Sequence, residues 1–286
     1  MSEDQPKATH PTIGVFDSGF GGLTVLRALI ARMPNVRFAF IGDTARLPYG
    51  SKSRRTIARY AAQSAQFLVN EQKAEFLVIA CNTASALALD AIEESVPVPV
   101  LGVIEPGAEA ARAASQTGDV LVIATTATVE SHAYAAACRA RGLRALEMAC
   151  PLLVPLVEEG WNESPVTAEV IRIYLDELNA QAAAQGMHPD TLVLGCTHYP
   201  LLRPLIEKAV PAGMRVIDSA EAAADAAVRL FDGRVAQLAG NEASEEGSPA
   251  TQLRCFATDS VEKFERLGSR FLDRPTGKVE LVDLGG

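Results

Sequence analysis

The chain has 286 residues, 48% of them hydrophobic and 21% charged, the balance of a folded globular protein with material for one large core or two modest ones. A formal charge of −9 argues against nucleic acid or an anionic membrane as the main partner, because both call for a positive field. The five cysteines are an odd number without a C-x-x-C pair, so a disulfide framework is not expected.

The opening MSEDQPKATHP lacks the apolar stretch of a signal peptide, and no segment reaches the length of a membrane span. The expected location is the cytoplasm, with residues 1–10 a mobile N-terminus. From there, short apolar runs alternate with stretches of helical period. Strands are expected at 12–17, 36–42, 76–81, 98–103 and 119–124, then at 144–148, 190–196, 214–218, 252–257 and 279–283. Segments such as 53–73 and 164–185 lie between them with apolar residues at helical spacing. The alternation predicts an α/β protein with largely parallel sheets flanked by helices. The polar, acidic stretch 237–251 reads as a solvated loop.

An internal echo divides the chain. Ile13–Asp17 opens one half with a strand, a polar turn and a helix, and Val120–Thr125 opens another in the same way. In each half a later strand ends in a thiol, Cys81 in one and Cys196 in the other. This predicts a first domain of residues 11–104 plus 218–286 and a second of residues 105–217, with the site between them.

In parallel sheets, ligands bind beyond the carboxyl ends of the strands. Asp17, Thr44, Cys81, Thr125 and Cys196 all fall at such ends. Metal ligation is not expected: Cys196 and His198 stand two apart, but His10, His132 and His188 have no matching neighbours, and zinc takes three or four ligands. Three chemistries remain for the thiols. A nucleophile assisted by His198 leaves Cys81 idle; a redox pair leaves the neighbouring Asn82 and Thr83 unexplained. Proton transfer, one thiolate removing a proton from carbon while a thiol on the opposite face returns one, uses both and inverts a stereocentre. Asp17 is placed to assist Cys81, and His198 to assist Cys196 with an acidic residue behind it. Cys138, Cys150 and Cys255 read as inert core thiols, and Lys52 as a solvated lysine.

The turn Asp17-Ser-Gly-Phe-Gly-Gly22 has neither dinucleotide nor P-loop spacing. A ligand carboxylate held by its N–H groups and nearby hydroxyls, with an ammonium group near Asp17, suits it better. A small amino acid is the expected ligand. A nucleotide-dependent kinase is the rival reading of the same turn, and it leaves both cysteines without a task.

With these residues laid out, the sequence resembles the glutamate racemases of the aspartate/glutamate racemase family. The resemblance is carried by GVFDSGFGGLTVL (14–26), IGDTARLPYGSKS (41–53), IACNTASA (79–86), PLLVPLVEEG (151–160) and LGCTHYPLL (194–202), with ATDSVEKF (257–264) closing the series. It implies two pseudo-symmetric α/β domains of the racemase fold and the cofactor-independent interconversion of L- and D-glutamate, which supplies D-glutamate for peptidoglycan. Carried onto this chain, it makes Cys81 the base toward D-glutamate and Cys196 the base toward L-glutamate. Asp17 then supports the first, and His198 with Glu158 the second, Glu159 being the alternative carboxylate. It implies substrate contacts from Asp17, Ser18, Tyr49, Gly50, Asn82, Thr83, Thr197 and His198, and the stretch ATTATV (124–129) adds Thr125 and Thr128. A homodimer is compatible with the resemblance, and aspartate is the competing substrate. Some glutamate racemases also bind DNA gyrase, a role to which the short N-terminal extension here lends no support.

Overall fold

A computed structural model describes residues 11–239 and 252–285. The expected mobile N-terminus and most of the expected loop at 237–251 lie outside the described residues. All ten expected strands are present: β1 (Thr12–Asp17), β2 (Arg37–Gly42), β3 (Phe76–Ile79), β4 (Val100–Gly102), β5 (Asp119–Ala124), β6 (Arg144–Ala149), β7 (Thr191–Gly195), β8 (Arg215–Asp218), β9 (Leu253–Ala257) and β10 (Val279–Leu281). They form two sheets, one ordered β10-β9-β2-β1-β3-β4 and the other β6-β5-β7-β8. Every strand pairing among the described residues is parallel.

The echo in the sequence is an echo in topology. The first four strands are ordered β2-β1-β3-β4 and the next four β6-β5-β7-β8, so β1 corresponds to β5 and β3 to β7. The first sheet is then extended on its β2 edge by β9 and β10, which follow the second sheet in the chain.

Burial on both faces explains why the strands read as unbroken apolar runs rather than alternating ones. Val15, Phe40 and Val78 join a large cluster that also takes in Leu121, Ile123, Leu192 and Leu194 of the second sheet, so the two halves share packed surface. On the opposite face of the first sheet, Phe16, Ile41, Leu77 and Ile79 meet the helix Arg54–Asn70 through Ile57, Ala61, Ala65 and Leu68. Val120, Val122 and Val193 pack with Tyr134 and Cys138 on the corresponding face of the second.

Helix ends fall where caps allow. Ser53 and Ser164 each accept a backbone N–H at the start of the helices Arg54–Asn70 and Pro165–Ala184. Among the expected strands that stop short of the sequence reading are the two that lead to the thiols. β3 ends at Ile79 and β7 at Gly195, because the chain turns from each directly into helical backbone; Cys81 Sγ caps the helix Asn82–Leu87 by accepting from Ala84 N. No helix among the described residues is long and apolar enough to cross a membrane.

The helix Val261–Leu272 buries Phe264, Leu267 and Phe271 at helical spacing against the first half. Phe264 is fully buried, with its ring 5.6 Å from that of Phe20 and 5.9 Å from that of Phe40. This contact seats the whole helix. Truncation of Phe264 to alanine is expected to destabilise the protein by about 3–5 kcal/mol, read as a fall in the urea midpoint; a loss below about 1 kcal/mol would mean that the helix is held elsewhere.

Candidate active site

A cleft of 380 Å³ opens at the carboxyl ends of both sheets. The first half supplies Ser18, Leu47, Pro48, Tyr49, Gly50, Cys81, Asn82 and Thr83 to its wall; the second supplies Thr125, Val154, Pro155, Glu158, Glu159, Cys196, Thr197 and His198, and Lys263 comes from the returning helix. The two thiols that end corresponding strands are therefore on one cleft. All five cysteines are free thiols.

Each of the two thiols has its own polar surroundings. Cys81 donates to Ser18 Oγ across 3.3 Å and accepts from Ala84 N at 3.4 Å. Burial, aided by the nearby Asp17 carboxylate, pushes its pKa up to about 12, so this sulfur holds its proton. Cys196 Sγ stands 4.0 Å from His198 Nδ1, and His198 Nε2 lies 3.4 Å from Glu158 Oε1. The imidazole is therefore bracketed by a sulfur and a carboxylate. Burial opposes its charge, but the bonds to Cys196 and Glu158 outweigh burial and raise its pKa to about 10. Glu158 is lowered in return, first by the bond to His198 and against its own burial. Its other oxygen is 3.5 Å from Lys263 Nζ. This geometry selects Glu158 rather than Glu159 as the partner of His198.

Asp17 is the last residue of β1 and 1% exposed, behind the cleft wall rather than on it. Burial raises its pKa, while His198 and the N–H groups of Gly19 and Gly22 work the other way. Gly19 N donates to Oδ2 at 2.9 Å, and Oδ1 is buried with no partner. The glycine turn thus differs from its expected use: its N–H groups cradle the carboxylate of Asp17 itself. Gly21 has another reason to be glycine. A methyl group there would overlap Thr197 Oγ1 and lie 2.6 Å from His198 Nδ1, so the turn presses its bare backbone against the second half. Thr24 fastens the contact by donating to Thr197 O at 3.1 Å.

Among the other expected residues, Thr83, Thr125 and Thr128 form a triangle of hydroxyls, 3.0, 3.3 and 2.9 Å on its edges, that joins the two halves. Thr128 is fully buried beneath it and has no place on the wall, so it holds the other two rather than reaching the cleft. Tyr49 is on the wall and anchored by donating to Asp43 Oδ2 at 2.6 Å; burial and that carboxylate push its pKa well above the usual phenol range. Asn82 accepts from Tyr134 at 2.7 Å, while its Nδ2 is buried without a partner. Thr44, also at a strand end, bonds instead to the backbone of Asp259. Sequence reasoning missed Lys263, Glu159 as a wall residue, and the apolar lining of Leu47, Val154 and Pro155. Lys263 sits inside the stretch ATDSVEKF, one residue before the buried Phe264, and that position was the available signal.

Residues 22–227 match the Asp/Glu/Hydantoin racemase family. The chain belongs to that family. It is 52% identical to a glutamate racemase of Koribacter versatilis, over 97% of this chain and 99% of that one, and 46% identical to one of Syntrophus aciditrophicus over 99% and 100%. A crystal structure of glutamate racemase from Francisella tularensis in complex with D-glutamate superposes with a TM-score of 0.83 at 34% identity, covering 96% of this chain and 98% of that one. The racemase fold with two parallel sheets, expected from the sequence, is the observed one.

The charged pair carries a pH signature. His198 has a raised pKa, so its contribution is complete below the ordinary value of 6.5 and is lost as pH rises through about 10. Glu158 has a lowered pKa, so its contribution is complete above the ordinary 4.5 and is lost as pH falls through its lower folded value. The stability difference between wild type and His198→Gln is therefore expected to be level from about 4.5 to 6.5 and to shrink toward pH 10. Urea unfolding across that range checks it, and a difference that grows above pH 7 would reverse the assignment.

Proposed function

We propose that the chain interconverts L- and D-glutamate by moving the Cα proton between Cys81 and Cys196 on opposite faces of the substrate. The observation that carries this reading is the pair of free thiols ending corresponding strands β3 and β7 on one cleft. Their unequal surroundings give each a role. Cys81 keeps its proton and can donate it; Cys196, with the His198 ring 4.0 Å from its sulfur, takes the part of the base. In the L-to-D direction, the Cys196 thiolate takes the Cα proton, and the Cys81 thiol delivers its own to the other face. The thiol and thiolate have then exchanged places, which is the starting state for the reverse direction.

The remaining residues hold the substrate and the developing charge. Asn82 Nδ2, an unpartnered donor, suits a substrate carboxylate, and Ser18, Thr83, Thr125 and Thr197 add hydroxyls around it. Tyr49 and Gly50 close the end of the cleft nearest the Asp43 anchor. Asp17 Oδ1, unpartnered and electrostatically close to Cys81, serves the proton on that side. Glu158, itself paired with Lys263, keeps His198 charged on the other. The reaction as drawn needs no cofactor. We place the domain division at residues 11–104 plus 218–286 and 105–217, and the protein in the cytoplasm as a source of D-glutamate for peptidoglycan.

Purified protein with L-glutamate in heavy water, without added cofactor, is expected to lose optical rotation while deuterium enters the Cα position. Aspartate in the same assay is expected to give far less exchange. Cys81→Ser and Cys196→Ser are each expected to lower turnover by about 10³-fold or more while remaining folded. Full turnover in either variant would defeat the two-base assignment, and exchange without loss of rotation would mean that one face alone is served.

A further inference from the structure

Tyr134 belongs to none of the motifs that the sequence singled out, and it lines no part of the cleft. It is fully buried in the helix Ala133–Ala140 of the second half, yet it touches both thiol-bearing turns. A Cβ on Gly195, the residue before Cys196, would come within 2.9 Å of its ring at Cε2, and one on Gly107 within 3.2 Å at Cε1. Only glycines at these places let the ring lie so close. At its far end the phenol donates to Asn82 Oδ1 across 2.7 Å, and Asn82 is the residue after Cys81. One rigid ring thus spans from the backbone beneath one thiol to the side chain beside the other.

The hydrogen bond also carries a direction. A phenol has one proton, and here it goes to Asn82 Oδ1. The amide oxygen is thereby taken, which fixes the amide the other way round from a flipped one. Its Nδ2 is left buried with two N–H donors and no acceptor, in a residue that lines the cleft. Such a group is unfavourable until an acceptor arrives.

We propose that Tyr134 is a positioning residue: it holds the donor face of Asn82 toward the cleft, where a substrate carboxylate completes it. The proposal rests on the reading of the cleft given above. It assigns Tyr134 to binding rather than to proton transfer, since its hydroxyl reaches Asn82 and not a sulfur. Without the phenol, nothing holds the Asn82 amide in the orientation that presents Nδ2, and its oxygen competes for the place that faces the anion.

The test is the Tyr134→Phe variant, which keeps the ring between Gly107 and Gly195 and removes the hydroxyl alone. KM for L- and for D-glutamate is expected to rise about tenfold, with kcat changed less than about threefold. Because the two enantiomers have equal free energy, kcat/KM must fall equally in both directions, which checks the data internally. In an Asn82→Ala background, Tyr134→Phe is expected to add nothing further. If its effect persists undiminished there, or falls on kcat with KM unchanged, Tyr134 does not act through Asn82 and the proposal is overturned. A wild type that exchanges the glutamate Cα proton beside a Tyr134→Phe variant of unchanged KM defeats the role of Tyr134 alone. A wild type that exchanges none defeats the glutamate reading itself.

Discussion

A charged imidazole buried between a sulfur and a carboxylate is the interaction around which this molecule is arranged. His198 is 9% exposed, and a lone cation at that depth would give up its proton. Cys196 on one ring nitrogen and Glu158 on the other reverse that outcome. The first half closes over the same ring. Gly21 brings backbone rather than side chain against it, Phe271 meets it edge-on with ring centroids 5.1 Å apart, and Asp17 contributes an opposite charge from behind. Docking of the two halves and charging of the site are thus one arrangement, because the surfaces that exclude water from His198 are the surfaces by which the halves meet.

Symmetry of topology is combined with asymmetry of charge. The thiols follow β3 and β7, which hold the same place in their sheets. At the ends of the strands beside them, however, β1 finishes in Asp17 whereas β5 is followed by Thr125. Cys81 is consequently surrounded by a carboxylate and a hydroxyl, and Cys196 by an imidazolium backed by Glu158 and Lys263. A symmetric backbone brings the two sulfurs to one cleft. The unequal neighbours hold the proton on Cys81 and set an imidazolium beside Cys196.

Much of this was legible in the sequence, for reasons particular to each element. The strands showed because both faces of each sheet are covered, so Phe76–Ile79 and Thr191–Gly195 are buried throughout and almost wholly without polar side chains. The thiols showed because a polar residue at the end of such a run stands where parallel sheets bind ligands. What could not be read was supplied by distant parts of the chain. Tyr134 lies in AYAAACRA and has the pattern of a core residue; only folding brings it to Asn82, 52 positions earlier. Lys263 reaches the cleft because Phe264 is buried beside it. The N–H groups of the glycine turn were legible as donors, but not that Asp17 occupies them before any ligand arrives.

The order of strands has a bearing on how the chain is made. β2 is covered on one side by β1 and on the other by β9, whose first residue lies 211 positions beyond the last residue of β2, Leu253 against Gly42. At ribosomal rates that interval is about 10–40 s. Throughout it, an edge carrying Phe38, Phe40 and Ile41 has backbone groups with no neighbour, the condition that invites pairing with another chain. The second sheet, whose four strands are consecutive, can close in the meantime. The nascent protein therefore passes through a stage in which one half is finished and the other exposes an adhesive margin, and the last strands to emerge are those that seal it.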